Sequence, residues 1–440
     1  MSLNSYDAGE DFISVSPRAF TLENCIITSN DGNEVEIKDL VQDVKIHESL
    51  NRSSIIVEIF VNDAANLIFH MKLAGNEKVS LLISRLEPGD IIKEFSLLLN
   101  ITDITNFAET SPSSQSYTLI CMSKHVYLDK EKLLNIPFDN TANILIKNIV
   151  NKNLKSEIDV RASTKNSMTG IYPNISPLNA ISWLLRNSFD DNTEVYFYES
   201  ATEGLVLTSH KQLMSQNLYE EYNRIPFNTQ TTFNSQPDEV FKEERLKIIK
   251  FQSSLNLSKL DKVESGAFGS SLNTIDIATK TVDNTLDYSY KFDKNKSLND
   301  VAPINNKMTI GDKKLNEWKK YKQYYVSKNS LAFGNKKNYH EPVSKTLLES
   351  TSRFQNLDTT KLKMIIPGDF DITPGKIISI IAPLQADVTF ELAEGEQFID
   401  GFVTGKYLVS TITHHFSSND GYTSTLNLKK DSFIKQYEEK

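Results

Sequence analysis

Residues 361–433 constrain the fold of this chain more than any other stretch. They open with Met364-Ile365-Ile366-Pro367-Gly368-Asp369-Phe370-Asp371-Ile372-Thr373-Pro374-Gly375-Lys376 and continue as a short apolar run, Ile377–Ile381. After a polar insertion they resume at Lys406-Tyr407-Leu408-Val409-Ser410-Thr411-Ile412-Thr413-His414-His415-Phe416. Ser417-Ser418-Asn419-Asp420-Gly421 then reverses the chain. In the closing segment Tyr422, Ser424, Leu426 and Leu428 fall on one face, and Thr423, Thr425, Asn427 and Lys429 on the other, because side chains alternate along a strand. Asn419-Asp420-Gly421 supplies a turn in which positive φ is cheap, and Pro374-Gly375 sets the turn ahead of Ile377. The pattern predicts a meander of antiparallel strands. It is scaffold and carries no chemical equipment.

Residues 34–107 predict strand, strand, helix, strand, strand. Ile55, Val57, Ile59 and Val61 alternate with Ser54, Ile56, Glu58 and Phe60. Asn62 or Asp63 caps a short helix with Ala64, Leu67, Ile68 and Met71 on one face, and Gly75 stops it. Strands are expected over 79–86 and 95–104 around the Pro88-Gly89-Asp90 turn. Residues 114–126 close the unit with Tyr117, Leu119 and Cys121 on one face. Several strands and one capping helix in so short a stretch suggest a small β-barrel.

Two of these stretches carry a resemblance. The Gly-Asp-Phe-Asp-Ile-Thr-Pro-Gly turn at 368–375, the apolar strand after it, the Tyr407-Leu408-Val409 strand, its histidine and the tight hairpin form the first. The run His47-Glu48-Ser49-Leu50-Asn51-Arg52 before residues 55–62, followed by Ala74-Gly75-Asn76-Glu77, forms the second. In this order they resemble the baseplate central hub protein of T-even-type contractile-tailed bacteriophages, a family related to the spike hub domains of type VI secretion. The rest of the chain matches that family only loosely.

The resemblance implies a mainly β (α+β) chain: two tube-like antiparallel β-barrels with inserted α/β modules. The expected division is a first barrel over 1–127, an inserted α/β module over 128–205, and a second, discontinuous barrel over 206–262 and 341–433. A Lys/Tyr-rich module fills 263–340, and 434–440 is a tail. Within the first insertion, Asp139 or Asn140 is expected to cap a helix to about Lys152 with Ile144, Leu145, Ile149 and Val150 as its stripe. A second helix starts at Pro177 and buries Leu178, Ile181, Trp183, Leu184 and Leu185. Residues 194–198 and 204–208 read as a strand pair, and 213–238 have no clear assignment. Residues 240–257 suit a strand returning to the second barrel, or in part a helix. Strands are expected over 274–282 and 285–292, and a helix over 341–356.

Composition narrows the function. The chain has 440 residues, 39% hydrophobic and 24% charged, which suits roughly two to four folded domains. A net charge of −9 makes it a poor general binder of nucleic acid. Cys25 and Cys121 are too few for a disulfide framework or a zinc site and read as small buried hydrophobes. The start of the chain is polar and acidic, unlike a signal peptide, and no apolar run approaches the length of a membrane span. Folding in a reducing cytoplasm without membrane insertion is the expectation.

Each chemical template fails on the residues. Gly368 and Gly375-Lys376 suggest a phosphate loop, but the spacing is too long and no Ser or Thr follows the lysine. His414-His415 cannot share a metal, since neighbours on a strand face opposite ways. Gly266-Ala267-Phe268-Gly269-Ser270-Ser271 lacks the strand and helix of a dinucleotide site and reads as a surface loop. The Lys/Tyr segment between Tyr288 and Tyr339 suits an outer face or a protein interface better than a nucleic-acid surface. No carboxylate pair or nucleophile elbow stands in a recognisable context. The expectation is therefore no enzyme, and no catalytic, cofactor-binding or metal residue.

What the resemblance implies is a structural part of the virion tail baseplate, assembled in the host cytoplasm. It would be a homotrimer whose paired barrels adapt the sixfold tail tube to the threefold central spike. Partners would be the spike protein, often lysozyme-bearing, the tail-tube initiator proteins, the tape-measure protein and baseplate wedge proteins, with genomic DNA only in transit. Subunit contacts would run through residues 95–104 and 117–123 of the first barrel, and 407–416 and 422–428 of the second. The alternatives are the hub of a related secretion-system or tailocin spike, which usually carries a fused needle, and a cell-envelope carbohydrate-active enzyme, which needs a carboxylate pair in a cleft.

Overall fold

The computed structural model describes residues 16–434 except 112–113, 166, 192, 224–236, 256–257, 277–278, 304–308, 329–340 and 383–399. The fold is mainly β. The first unit contains β1 (Thr21–Thr28), β2 (Glu34–Glu36), β3 (Val41–Ser49), β4 (Ile56–Asp63), helix α1 (Leu67–Met71), β5 (Lys78–Glu87), β6 (Ile91–Ser111) and β7 (Ser114–Ser123). These strands lie in the order β2-β1-β5-β6-β7-β4-β3, all antiparallel. Alternation decides what they bury: Val57, Ile59 and Val61 of β4 meet Tyr117, Leu119 and Cys121 of β7 in one core. Asp63 holds the start of α1, its carboxylate accepting the Ala65 and Leu67 N–H groups at 2.8 Å each. The helix ends before Gly75, at Lys72, which takes a left-handed conformation (φ 51°) and donates back to the Ile68 and Phe69 carbonyls. The closing strand also stops short of Val126, because His125 begins the next helix.

That helix, α2 (His125–Glu131), leads to β8 (Pro137–Thr141), α3 (Ala142–Ile149), β9 (Ile158–Val160), β10 (Ser167–Ile171), α4 (Pro177–Arg186), β11 (Val195–Ser200), β12 (Gly204–Ser209) and α5 (His210–Ser215). β8 and β10 form a ribbon, and β11, β12 and β9 a three-stranded sheet. The two helices bury Leu145, Ile146, Ile181 and Leu184 against Val195, Phe197 and Leu207. Asp139 and Asn140 do not cap α3: both lie in β8, paired to β10, and the helix starts after Thr141. Ile144 faces outward and Ile146 takes its place in the stripe. β12 pairs with β11 along its whole length and with β9 at Leu205 to Leu207, so Val206 to Ser209 pair here rather than in the large sheet.

The chain continues through β13 (Glu220–Asn223), α6 (Pro237–Arg245), β14 (Lys250–Leu255), α7 (Lys259–Glu264), β15 (Gly269–Asp276), β16 (Thr281–Ser289), β17 (Thr309–Ile310), β18 (Lys313–Lys314), β19 (Gln323–Lys328) and α8 (Glu341–Leu357). It ends with β20 (Thr360–Pro367), β21 (Ile377–Ile381), β22 (Gly405–Ser417) and β23 (Gly421–Lys430). Residues 240–257 thus hold both a helix end and a strand. The β15–β16 hairpin turns before Thr281, not around residue 283, since Asp276 pairs with Thr281. The glycine-rich run at 266–271 is no surface loop: Ala267 and Phe268 are buried against Val263 and Leu315, and Gly269 opens β15. The absence of a side chain at Gly269 leaves room for the Asn316 carbonyl, 3.2 Å from where a Cβ would stand. Cys25 and Cys121 are buried, and burial drives the Cys25 thiol up to about 12.

β14, β20, β23, β22, β21 and β13 enclose a further core around Met364, Ile366, Ile380, Tyr407 and Leu426. Two lysines are buried at its base. Lys430 Nζ donates to the Thr404 carbonyl at 2.9 Å and lies 4.8 Å above the Tyr407 ring, and burial draws its pKa down to about 7. Lys262, hydrogen-bonded to the Thr359 hydroxyl, is lowered to about 8 by burial and by Lys259. Unfolded lysines bind their proton up to about 10.4. Between pH 7 and pH 10 the unfolded chain therefore holds more protons at these two positions, and their contribution to stability rises with pH. The melting temperature is expected to increase from pH 7 to pH 9. Lys262→Met/Lys430→Met should flatten that rise; an unchanged slope in the double variant would assign it to other groups.

Candidate functional site

The two β units are not separate. β22 pairs with β23 along one edge, while its other edge serves two partners in succession. Leu408 back to Gly405 pair with β21, and Thr411 to Ser417 pair with β3, Thr411 opposite Ser49 and Ser417 opposite Asp43. All these strands consequently belong to one 13-stranded sheet. The β22–β23 hairpin is shared between the cores. Its stem gives Ile412, Leu426 and Leu428 to the second, and its tip gives Phe416 and Tyr422 to the first.

The buried side of this junction is aromatic and charged. Tyr422 stacks on Phe416 with centroids 4.1 Å apart and meets Phe370 edge-on at 4.8 Å; Phe370 packs on Phe95 at 4.7 Å. Gly368 lies under the Tyr422 ring, and a Cβ there would stand 2.0 Å from a ring carbon. Arg85, 2% exposed, donates from Nη1 to the Gly368 carbonyl at 2.7 Å and the Pro17 carbonyl at 2.6 Å, and from Nη2 to Glu87. Its guanidinium lies 5.1 Å from the Phe370 centroid and 5.6 Å from that of Tyr422. His414 approaches the Tyr422 hydroxyl at 2.8 Å through Nδ1 and the Glu48 carboxylate at 3.5 Å through Nε2. Burial raises the Tyr422 phenol well above its ordinary value, so it stays neutral.

The opposite face is polar and crosses the junction without a break. One row runs Thr423, His415, Lys45, Glu58 across four neighbouring strands. Beside it the His47 ring meets the Thr413 hydroxyl at 3.0 Å, and His415 reaches Asp43 at 3.2 Å. Asn427 donates to Thr411 at 2.6 Å. Burial, with Lys45 and Arg52 nearby, outweighs Glu58 and lowers the His47 pKa. Opposite charges and hydroxyls alternate here, a surface with no strong field of either sign.

The structure places the sequence candidates as follows. His414 and His415 face opposite sides of β22, one in the core and one on the polar face. Gly375 (φ 92°) turns the chain into β21, and Lys376 Nζ lies 5.8 Å above the Tyr219 ring. Among the described residues no group of His, Cys, Asp and Glu is arranged to hold a metal ion, and no helix is long and apolar enough to cross a membrane. The strands expected at subunit edges need correction. β7, β22 and β23 are paired on both sides, and β6 is paired with β5 through Asn100. Sequence reasoning passed over Arg85, Glu48 and Glu199. Arg85 shares the inward phase of Leu81 and Ile83, and Glu48 that of Val44 and Ile46; a charge on the apolar phase was the available signal. Glu199 of β11 ties the α/β module to the first unit, accepting from the Ile55 N–H at 2.8 Å and from the Ser123 hydroxyl.

No protein-family profile and no curated protein matches the sequence. Solved structures do match. The tail protein from Neisseria meningitidis MC58 aligns with 93% of this chain and 96% of its own, at 12% identity and a TM-score of 0.52. The 43 kDa tail protein of prophage MuSo2 from Shewanella oneidensis aligns with 93% of this chain and 98% of its own, at 10% identity and a TM-score of 0.50. An Escherichia coli type VI secretion component aligns at 8% identity and a TM-score of 0.42, over 94% of this chain and 76% of its own, too distant to carry an argument. Across almost its entire length, this chain has the fold of these two tail proteins.

Proposed function

We propose that the chain is the structural hub of a contractile-tail baseplate, a homotrimeric ring around the channel that DNA passes in transit. The observation that carries the reading is the continuous sheet, whose polar face crosses from one β unit to the other at β3–β22. Each subunit offers two such units, so a closed trimer presents six to a sixfold tube while keeping threefold symmetry for a central spike. The mixed face suits a channel wall. A strongly cationic wall would hold DNA phosphates, whereas a surface of hydroxyls and paired charges lets them slide. In this reading the spike, tube-initiator, tape-measure and wedge proteins contact the remaining surfaces. The Lys/Tyr stretch at 291–340, where Tyr321 and Tyr325 are exposed, faces outward. The end-to-end likeness in fold to phage tail proteins supports the assignment. The role is mechanical and needs no catalytic group.

Light scattering on the purified chain tests this. A trimer at micromolar concentration is expected, and a stable dimer or tetramer would refute the ring.

A further inference from the structure

The stretch ahead of α8 holds a small sheet of its own, in the order β16-β15-β19. β15 is its centre, antiparallel to β16 and parallel to β19. One face packs inward: Leu272 is buried, and the Tyr324 hydroxyl donates to the Ser265 carbonyl at 3.3 Å. The other face is wet, with Ile275, Val282 and Tyr325 all exposed, Val282 by 67% and Tyr325 by 64%. The backbone of β19 is open along one side as well. The Ser271 N–H donates to the Lys322 carbonyl at 2.9 Å. A strand residue turns its N–H and carbonyl to the same edge, and successive residues turn to opposite edges. Lys322, Tyr324 and Val326 therefore serve β15, while Gln323, Tyr325 and Ser327 turn theirs outward. Among the described residues no strand pairs with that outer edge.

We propose that this edge docks a partner protein: an acidic segment, bound in extended conformation, joins the sheet as a fourth strand beside β19. Charge selects the partner. The chain as a whole is at −9, yet residues 319–328 carry Lys319, Lys320, Lys322 and Lys328 and no acidic residue. Lys319 lies 3.9 Å from Asp287, and among the described residues no carboxylate pairs with Lys320 or Lys322. β16, at the sheet's other edge, carries Asp283 and Asp287 and no lysine, so it would repel the same segment. An edge guarded only against aggregation sets a lysine within the strand. Here the middle of the strand is Tyr324-Tyr325-Val326-Ser327, and the lysines stand at its ends. A nucleic acid would answer the lysines and tyrosines but leave the outward N–H and carbonyl groups of Gln323, Tyr325 and Ser327 unmet. Their spacing, two residues apart, is that of another strand. Side chains of the docked segment would extend the row Val282, Ile275, Ser327 and cover apolar surface now in water.

Fluorescence anisotropy on the purified full chain tests this, with labelled Glu-Val-Glu-Val-Glu-Val as the probe. Binding with a Kd below about 1 mM that weakens as salt is added is expected. Glu-Val-Pro-Pro-Glu-Val, which cannot offer a ladder on either edge, should not bind. Ser327→Pro removes an outward N–H and no bond to β15, so affinity should fall about tenfold, the worth of one or two backbone hydrogen bonds, with the circular dichroism unchanged. If Ser327→Pro does not fold, Lys320→Glu/Lys322→Glu, which leaves the backbone alone, should weaken binding by a similar factor. Absence of binding by the acidic peptide, equal binding by the proline peptide, or a folded variant of either kind that binds like wild type overturns the proposal. Tighter binding of a short oligothymidine than of the peptide also overturns it, in favour of a nucleic-acid surface. The titration does not depend on the oligomeric state, so failure to form a trimer would refute the ring and leave the docking strand standing.

Discussion

Gly368→Ala is expected to destabilise the protein by about 3 kcal/mol, the upper part of the range for forcing a methyl group into a packed core. The added carbon would stand 2.0–2.3 Å from three carbons of the Tyr422 ring. A flexible side-chain end could swing away, but this ring is stacked on Phe416, edge-on to Phe370 and hydrogen-bonded to His414. Moving it disturbs both cores at once. Gly89→Ala provides the comparison. That glycine has φ 82° with nothing within 4 Å of its missing Cβ, so the change costs only backbone strain, about 1–2 kcal/mol. Urea titrations of the two variants should separate clearly. Equal costs would mean that the ring does not occupy the space over Gly368. In a Tyr422→Leu background the Gly368→Ala penalty should shrink, because contacting residues couple.

Arg85→Met is expected to cost about 3–5 kcal/mol, the range for removing one partner of a buried ion pair. Its guanidinium satisfies two carbonyls from distant parts of the chain, Pro17 and Gly368, besides pairing with Glu87. Methionine fills much of the volume and makes none of these bonds. The loss falls where the two units meet, so calorimetry should show the unfolding transition broaden or split. Arg85→Met/Glu87→Gln should recover part of the stability by removing the stranded carboxylate. A single variant within 1 kcal/mol of wild type would contradict the arrangement.

How much of this was legible in the sequence depended on distance along the chain. The alternation of Tyr422, Ser424, Leu426 and Leu428 was plain, and all four are buried. The turns at Gly375 and Gly421 were plain for the same reason: a glycine with positive φ between two apolar runs has few other uses. Pairings between neighbours in sequence followed. β3 with β22 did not, since Thr411 and Ser49 are far apart in the chain and nothing local advertises their meeting. Of the strands named as edges, β7, β22 and β23 failed outright and β6 failed as far as Asn100, for that reason: alternation tells which face is wet, not which edge is free. The run at 266–271 misled because small residues suit loops and tight packing alike. Of the junction, the residues were visible but their roles were not. Arg85 and Glu48 look like ordinary strand charges until the opposing unit is placed.

The shared hairpin also bears on how the protein is made. During synthesis the first unit leaves the ribosome without Phe416 and Tyr422, which its core requires, and with the β3 edge still bare. It cannot finish until β22 and β23 arrive, more than 350 residues after β3. A dominance of such distant contacts slows folding. In exchange, a truncated chain lacks the hairpin that completes either core. Nascent or broken copies therefore stay incompletely folded, and quality control is built into the order in which the strands emerge.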